Sequence, residues 1–476
     1  MARTPTPGSG IRTASASTLA AMTSTPTTLF ILGASGDLTS RLLLPSLAAL
    51  LQRQPQRRIA VRGAGTEAWD ASTWRSVVSD AFTDAPDALD RVHIEDYVAA
   101  DVTDRTAVAS LVESLAPGTV LYFALPPAVT RAAIEAMQGL TLPEGTLLAM
   151  EKPFGDDEAS ARELNERLLA LVPEQQVFRV DHFLGRSTLL NLLGVRLPHR
   201  IWEPVWSAEH IESVFIRFDE SLALEGRARY YDKAGAMIDM IQSHLLQVLA
   251  LLAMDPPASL DERDLRDAKA AVLRATHVRG DDPAASSRRA RYTAGRVGDR
   301  ELPAYVDEEG VDAARNTETL AEVTFEVSND RWEGVPFVLR SGKALRAKHS
   351  EVVVTFRQVR HLPRGLAGQP ADGGRLTFSL GPDTMVLGLH VTGGDDPFAL
   401  RDEDLTADLG EGQRRSYEEA LDELLDGEVA LSVRADEAEE CWRIIQPVRD
   451  AWAKGEVPLE EYAAGSLGPA SWPTSN

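Results

Sequence analysis

Short apolar runs alternate with stretches of helical periodicity along the first third of the chain. The pattern predicts a strand at 28–32, an amphipathic helix at 38–52 and a second strand at 58–62. Further strands are predicted at 120–124, 146–150 and 176–180, and further helices at 128–138 and 158–171. Strands that alternate with helices favour right-handed crossovers and a parallel, doubly wound sheet.

The pattern changes after about residue 180. An apolar helix is predicted at 236–254, and a polar stretch follows at 258–318. Strand-like runs then occur at 320–326, 335–340, 351–357, 375–380 and 384–391, before two helices near 415–425 and 436–453. Runs of strands joined by short turns predict a mainly antiparallel, mixed sheet.

The predicted fold class is therefore α/β, in two domains. A doubly wound, Rossmann-like domain is expected at 28–180 and a larger α+β domain at 181–476. Residues 1–27 are rich in Thr, Ser, Ala, Pro and Gly and lack the apolar segment of a secretory signal, so a disordered extension is expected. The pattern leaves open whether translation starts at Met1 or Met22.

Charge and composition narrow the class of protein. The chain has 476 residues, is 44% hydrophobic and carries a formal net charge of -23. That charge argues against a nucleic-acid partner or an anionic membrane surface, so a local cluster of cations has to hold any anionic ligand. No run of about 18 apolar residues is present, which predicts no membrane span. We expect a soluble, cytoplasmic enzyme with a small-molecule substrate.

The single cysteine, Cys441, excludes an intrachain disulfide framework and a multi-cysteine metal site. We expect it to be a half-buried helix residue, and we expect no metal.

A glycine-bearing turn joins the first strand to the first helix. Its residues are Gly33, Ala34, Ser35, Gly36, Asp37 and Leu38. Glycines let the backbone approach a pyrophosphate, whose charge the free amides at a helix start can bind. The turn has two of the three glycines of the full dinucleotide fingerprint, so a tight turn without a ligand is the alternative.

A second cluster follows the strand at 176–180. Asp181, His182 and Arg186 lie within six residues of one another. An acid–histidine pair at a strand end can orient a base, and a following cation can hold an anionic substrate. The alternative is a solvated loop.

These segments closely resemble the signature segments of glucose-6-phosphate dehydrogenases, in the family's order. The matching segments are 33–38, 151–155, 181–186, 200–206, 225–235, 242–247, 334–343 and 462–469. The resemblance covers nearly all of 28–470. It implies oxidation of the C1 hemiacetal of glucose 6-phosphate to a lactone, the first oxidative step of the pentose phosphate pathway, with NADP or NAD as hydride acceptor. It also implies a homodimer or homotetramer built through the second domain's sheet.

The resemblance assigns roles to individual residues. His244 is the base for the C1 hydroxyl, Asp181 orients it, and Lys152 reaches both cofactor and sugar through a segment whose bond to Pro153 is cis in the family. Two further groups complete the substrate site: the phosphate ligands His182, Arg186, Lys343 and Tyr417, and the sugar-hydroxyl acceptors Glu220 and Asp239.

Several positions depart from the family pattern. Ser40 and Leu42 replace two lysines after the glycine turn, and Phe183 replaces a tyrosine whose hydroxyl donates to phosphate. After the second strand, Thr66 stands where the family has an arginine for the 2′-phosphate of NADP, and Glu67 follows it. A carboxylate there suits the ribose hydroxyls of NAD, which favours NAD or dual use.

Three alternatives remain open. One is a family relative that oxidises another aldose or aldose phosphate. Another is an oxidoreductase of the Gfo/Idh type, which shares the Glu-Lys-Pro strand end but not the other segments. The third is a sugar-phosphate or redox sensor without catalysis, which the presence of Lys152, Asp181 and His244 disfavours.

Overall fold

A computed structural model describes residues 27–181, 183–184, 187–366, 368, 372–393, 396–410 and 416–472. Within these residues the first part of the chain forms a seven-stranded sheet whose paired strands are all parallel. Its strands are β1 Thr27–Leu32, β2 Ile59–Gly65, β3 Val92–Ile94, β4 Val98–Ala99, β5 Val120–Phe123, β6 Leu147–Glu151 and β7 Val177–Val180. Their order is β3-β2-β1-β5-β6-β7, with β4 beside β2. The predicted doubly wound sheet is confirmed.

Helices cover both faces of this sheet. A π-helical segment, Thr39–Leu43, precedes the first of them. They are α1 Leu44–Arg53, α2 Ala71–Ala81, α3 Pro86–Leu89, α4 Arg105–Glu113, α5 Pro127–Met137 and α6 Glu158–Leu169. Burial on two faces explains why β1 reads as a continuous apolar run, since Leu29 to Leu32 are fully buried.

The second sheet is mixed and has ten strands in the described part of the chain. The strands that follow β7 are β8 Ile211–Asp219, β9 Thr276–Val278, β10 Ser287–Thr293, β11 Gly295–Val297, β12 Arg300–Leu302, β13 Leu320–Val327, β14 Phe337–Gly342, β15 His349–Phe356, β16 Arg375–Leu380, β17 Asp383–Thr392, β18 Leu400–Asp408 and β19 Leu459–Ala463. The sheet order is β18-β17-β16-β15-β8-β14-β13-β10-β19, with β9 beside β13, while β11 and β12 pair with each other. Two of its pairs, β8 with β14 and β10 with β19, are parallel.

One helical rod, Ala228–Ala253, lies in the core between the sheets. It consists of α8 Ala228–Ala236, a π-helical segment Met237–Leu245 and α9 Leu246–Ala253, and follows α7 Ser187–Arg196 in the chain. The remaining helices are α10 Glu262–Ala275, α11 Pro283–Ser286, α12 Ser416–Asp426 and α13 Ala435–Ala453, with short 3-10 turns at Glu174–Gln176, Glu203–Val205, Arg279–Asp281, Tyr305–Asp307 and Ala313–Arg315. By length and composition the rod alone among the described helices could cross a membrane, but 89% of its most apolar window is buried inside the protein.

Several elements were not predicted, among them α2, α4, α7, β8, α10, β10, β18 and β19, and one expectation was wrong. β8 alternates buried Val214, Ile216 and Phe218 with the half-buried Phe215 and Arg217, a pattern that was overlooked. α10 lies inside the stretch predicted only as polar, and β18 has almost no apolar periodicity. Cys441 is fully buried rather than half-buried, because α13 packs that face against the rod.

Candidate active site

Two of the predicted site residues follow neighbouring parallel strands. Lys152 comes directly after β6 and Asp181 directly after β7, and the last residues of these strands, Glu151 and Val180, are in register. Carboxyl ends of parallel strands meet at one edge of the sheet, where ligands bind in open α/β folds. The Lys152–Pro153 peptide bond is cis, as the resemblance implied.

His244 lies in the π-helical segment and faces Asp181. Its Nδ1 donates to Asp181 Oδ1 over 2.5 Å, and both side chains are buried. The same oxygen accepts the Phe183 amide at 2.9 Å, which holds the carboxylate in place. This pair sets the tautomer of the ring, because a proton on Nδ1 leaves the lone pair of Nε2 available to a substrate.

Lys152 contacts His244 from the other side. Its Nζ lies against His244 Nε2 and donates to the backbone oxygen of Asp239 over 3.2 Å. Burial lowers the pKa of His244, with Asp181 opposing the shift, and burial also lowers the pKa of Lys152. Since two cations cannot share this buried contact, the imidazole is neutral, which is the state that a base requires.

The π-helical geometry brings the site residues of the rod together. In a π-helix the amide of residue i+5 bonds the carbonyl of residue i, so Asp239 and His244 lie on one face. The Ser243 hydroxyl donates to Ile238 O over 2.6 Å across the same turn. π-segments occur frequently at functional sites.

A cluster of cations surrounds Asp239. Burial raises the pKa of this carboxyl, but the charges of Lys152, Lys343 and Arg227 outweigh burial and hold the pKa below its usual value. Tyr230 also hydrogen-bonds to it. Asp239 is therefore an ionised acceptor at the bottom of the site. Arg227 and Tyr230 were given no role from the sequence, although both lie in a segment that carried the resemblance.

Glu220 and Lys343 form an ion pair of 2.5 Å near the same cluster. Lys343 also lies over the ring of Tyr231, with Nζ 5.1 Å from the ring centre. The structure thus brings Glu220, Lys343, Asp239, Lys152 and His244 into one region.

Glu151 is a buried neighbour of Lys152 that the sequence reasoning missed. Tyr122 donates to it over 2.5 Å, and the hydroxyl of Tyr417 bonds to it as well. Burial raises the pKa of Glu151 to about 7, against the effect of both hydrogen bonds. Tyr417, predicted as a phosphate ligand, is held by Glu151 in this structure. The predicted phosphate ligands His182 and Arg186 lie outside the described residues.

The glycine turn lies at the carboxyl end of β1. Gly33 has a φ of 84°, and a Cβ there would overlap the carbonyl oxygen of Ala124, so only glycine fits. The amides of Gly33 and Ala34 donate to Ala64 O at 2.8 and 2.9 Å, which ties the turn to β2. The Gly36 amide donates to Gly33 O over 3.0 Å, so the amides left for a phosphate at the helix start are those of Ser35, Asp37 and Leu38.

The residues after β2 lie at the same edge of the sheet. Thr66 and Glu67 are both exposed there. Arg62 points away from this loop: it stacks on Phe30, 4.6 Å from the ring centre, and donates to Ser114 Oγ over 2.8 Å. The side chain of Arg41 is 77% exposed after the glycine turn.

A cleft of about 710 Å³ opens at the carboxyl ends of β5 and β6, beside Lys152. Its walls are mainly apolar and include Pro126, Pro153, Ile238 and Trp442. Clefts of this size and character typically bind small molecules or cofactors.

Comparisons with known proteins identify both halves of the chain. The family model for the "Glucose-6-phosphate dehydrogenase, NAD binding domain" matches residues 30–191, and the model for the "Glucose-6-phosphate dehydrogenase, C-terminal domain" matches residues 193–474.

The sequences and structures of several relatives align with most of this chain. A glucose-6-phosphate 1-dehydrogenase of Gluconobacter oxydans is 37% identical over 92% of this chain and 94% of its own length. Another from Zymomonas mobilis is 34% identical over 94% and 97%. The crystal structure of the glucose-6-phosphate 1-dehydrogenase from Mycobacterium avium superposes with a TM-score of 0.82 at 31% identity, covering 94% of this chain and 96% of that one. A glucose-6-phosphate dehydrogenase in complex with its substrate glucose-6-phosphate gives a TM-score of 0.81 at 28% identity, with the same coverage.

Proposed function

The chain belongs to the glucose-6-phosphate dehydrogenase family, and from this premise we propose that it oxidises glucose 6-phosphate at C1 to 6-phosphogluconolactone. A bound nicotinamide cofactor would supply the hydride acceptor. One observation carries the proposal. The buried side chain of His244 contacts both Lys152 and Asp181, which follow the carboxyl ends of β6 and β7.

His244 removes the proton of the C1 hydroxyl. Its Nε2 takes the proton as the C1 hydrogen leaves with its electron pair, and the bond between C1 and its hydroxyl oxygen becomes a carbonyl. Asp181 stabilises the imidazolium that forms, since its carboxylate is already bound at Nδ1. Lys152 lies where the C1 oxygen has to approach Nε2, so we propose that substrate displaces it onto a sugar oxygen.

Asp239 and Glu220 hold the sugar hydroxyls in this proposal. Asp239 is an ionised, buried acceptor, and Glu220 reaches the same region through its ion pair with Lys343. Such fixed acceptors orient C1 for close, aligned hydride transfer. The phosphate is held by His182, Arg186, Lys343 and Tyr417, by resemblance to the family.

The residues that would hold the cofactor lie along the carboxyl edge of the first sheet. The amides of Ser35, Asp37 and Leu38 would bind its pyrophosphate, and the cleft beside Lys152 and Pro153 would hold its nicotinamide. The donor set fits such a group, because glycines allow close approach and the helix start supplies amides. Glu67 and Thr66 favour NAD or dual use over strict NADP dependence.

The test is a matrix of initial rates. Glucose 6-phosphate, glucose and other hexose phosphates are each assayed with NAD and with NADP, following reduced nicotinamide. The proposal predicts the highest kcat/KM for glucose 6-phosphate. A higher value for another sugar would replace the substrate, and no reduction of either cofactor with any sugar would refute the activity.

A second candidate is the oxidation of another aldose or aldose phosphate. Phe183 favours it, because its ring lacks the hydroxyl of the family's tyrosine and stacks on His244 instead. Ser40 and Leu42 favour it too, since both replace cations. The same matrix separates the two candidates.

We further propose a cytoplasmic homodimer or homotetramer. The resemblance to the family supports an oligomer built through the second sheet. The outer strand β18 of that sheet is almost wholly exposed in the single chain, and its Leu405 is 56% exposed. Sedimentation equilibrium measures the state, and a monomer at assay concentration would contradict this.

A further inference from the structure

Glu318 lies at the start of the π-helical segment that carries Asp239 and His244. Its Oε1 accepts the amide of Met237, the first residue of the segment, over 3.0 Å. Its backbone oxygen accepts the amide of Ala236 over 3.3 Å. A carboxylate at this position satisfies amides that a helix start leaves without intrahelical partners, and it complements the positive end of the helix.

Gly235 makes room for this contact. Its φ is 61°, and a Cβ on it would overlap the Glu318 carboxylate. The carboxylate is therefore pressed against the kink at which α8 ends and the π-helical segment begins. Glu318 is only 7% exposed, and burial raises its pKa to about 7 although the Met237 amide opposes the shift.

The residues beside Glu318 bind other parts of the site. Thr317 Oγ1 donates to Asp232 O over 2.7 Å, which fixes α8. The backbone oxygen of Thr319 accepts the amide of Lys343 over 2.8 Å. The segment 317–319 thus connects the helix that carries the base to the backbone of the Lys343 cation.

We propose that Glu318 is a positioning residue of the active site: its carboxylate holds the start of the π-helical segment and thereby sets the places of Asp239 and His244. It touches neither substrate nor cofactor and acts through the helix. This proposal rests on the proposed function only because the assay measures the oxidation of glucose 6-phosphate.

A cavity behind Glu318 allows this role to be tested by chemical rescue. About 440 Å³ of open space, lined by Glu318, Met237 and Arg289 among others, borders the carboxylate. In Glu318→Ala the space of the lost carboxylate joins this cavity, so formate can enter and accept the Met237 amide. The rescue is measured as kcat per folded protein, which a gain in stability alone does not raise.

The experiment compares kcat and KM of the wild type, Glu318→Ala and Glu318→Gln, with and without formate. Glu318→Ala is expected to lose about 10- to 100-fold in kcat, the effect of displacing catalytic groups by a fraction of an ångström to 1 Å. KM for the cofactor stays unchanged, and formate restores part of kcat. Glu318→Gln keeps an acceptor oxygen, so its kcat stays within about threefold of the wild type.

Asp282→Ala is the matched control. Asp282 caps α11 by accepting the Ala285 amide over 3.0 Å. It follows β9, which pairs with the C-terminal end of β13, whereas Glu318 precedes the start of β13. Asp282→Ala is expected to lose stability but not kcat. Full kcat in Glu318→Ala would overturn the proposal, as would a loss of kcat that formate does not reverse or that Asp282→Ala shares.

If Glu318→Ala does not fold, kcat of Glu318→Asp tests the proposal instead. The shorter aspartate side chain withdraws the acceptor oxygen from the Met237 amide. A reduced kcat then supports the proposal, and an unchanged kcat overturns it. A wild type inactive on glucose 6-phosphate contradicts the proposed function alone, and the same variants are then compared on the sugar that the wild type oxidises.

Discussion

The contact between Lys152 and His244 determines how protons are held before substrate binds. Lys152 donates and the imidazole accepts, so the base is neutral but covered by an ammonium group. Burial lowers the pKa of both groups, and Asp181 alone among the three carries negative charge. Substrate therefore meets a base that is ready for proton transfer once Lys152 moves aside.

The ring of Phe183 contributes to this state. It stacks on His244 with 4.5 Å between ring centres, and it is buried. We predict that Phe183→Leu admits water beside the imidazole and raises the pKa of His244, because the burial that lowers this pKa is reduced. The acid limb of the pH profile of kcat/KM should therefore move to higher pH.

Phe218→Leu is the control for this change. Phe218 packs on Phe183 edge to face at 5.1 Å, so its truncation loosens the same aromatic group without uncovering His244 directly. Identical acid limbs in Phe183→Leu and the wild type would show that the stack does not tune the base.

At the scale of elements, the junction between α8 and the π-helical segment is the most constrained point of the site. We predict that Gly235→Ala destabilises the protein by about 1–3 kcal/mol more than Gly334→Ala, because its Cβ overlaps the Glu318 carboxylate. Gly334 has a similar positive φ, 78°, with nothing within 4 Å of a built Cβ, so it measures backbone strain alone. Denaturant unfolding gives both values, and equal losses would contradict the overlap.

The loop after β2 determines cofactor choice in the proposal. We predict that Thr66→Arg raises kcat/KM for NADP by about tenfold, the worth of one partly exposed ion pair with its hydrogen bonds. Thr66 is exposed, so the arginine has room. The effect on NAD should be small. A strictly NADP-dependent wild type that Thr66→Arg leaves unchanged would mean that other residues hold the 2′-phosphate.

The elements that could be predicted from the sequence are those whose buried residues form a regular apolar pattern. β1 and β5 are apolar on both faces and were found within one residue of their observed bounds. β18 was missed because its nine residues are almost all exposed and its strand geometry comes from pairing with β17. The charges of α10 concealed an apolar stripe that includes Leu265, Val272 and Leu273.

The same limit applies to the site. Lys152, Asp181 and His244 were predicted because each lies in a segment with a recognisable pattern. Glu151 lies in such a segment too, but its partner Tyr122 is 29 positions away and is brought to it only by the pairing of β5 with β6. Glu318 has no local signal at all, since its role depends on a helix 81 positions earlier in the chain.

At the scale of the whole molecule, buried carboxyls with raised pKa values couple stability to pH. The pKa of Glu318 is about 7 in the folded chain against 4.5 as its ordinary value. The folded state thus retains a proton that the unfolded state has lost between these values, and that contribution to stability disappears as pH rises through 7. Because glutamine does not titrate, the free energy of unfolding of Glu318→Gln should rise relative to the wild type by roughly 2–3 kcal/mol between about pH 5 and about pH 8. Denaturant titrations across this range measure it, and a constant difference between the two proteins would contradict the raised pKa.

The most direct test of the central claim, that His244 is the base for oxidation of glucose 6-phosphate at C1, is kcat of His244→Asn on that substrate. Asparagine keeps much of the polar shape but cannot accept the proton at neutral pH. The account predicts that kcat falls by roughly 10²-fold or more while KM changes little. Retention of more than about a tenth of the wild-type kcat would remove His244 from the chemistry and contradict the mechanism.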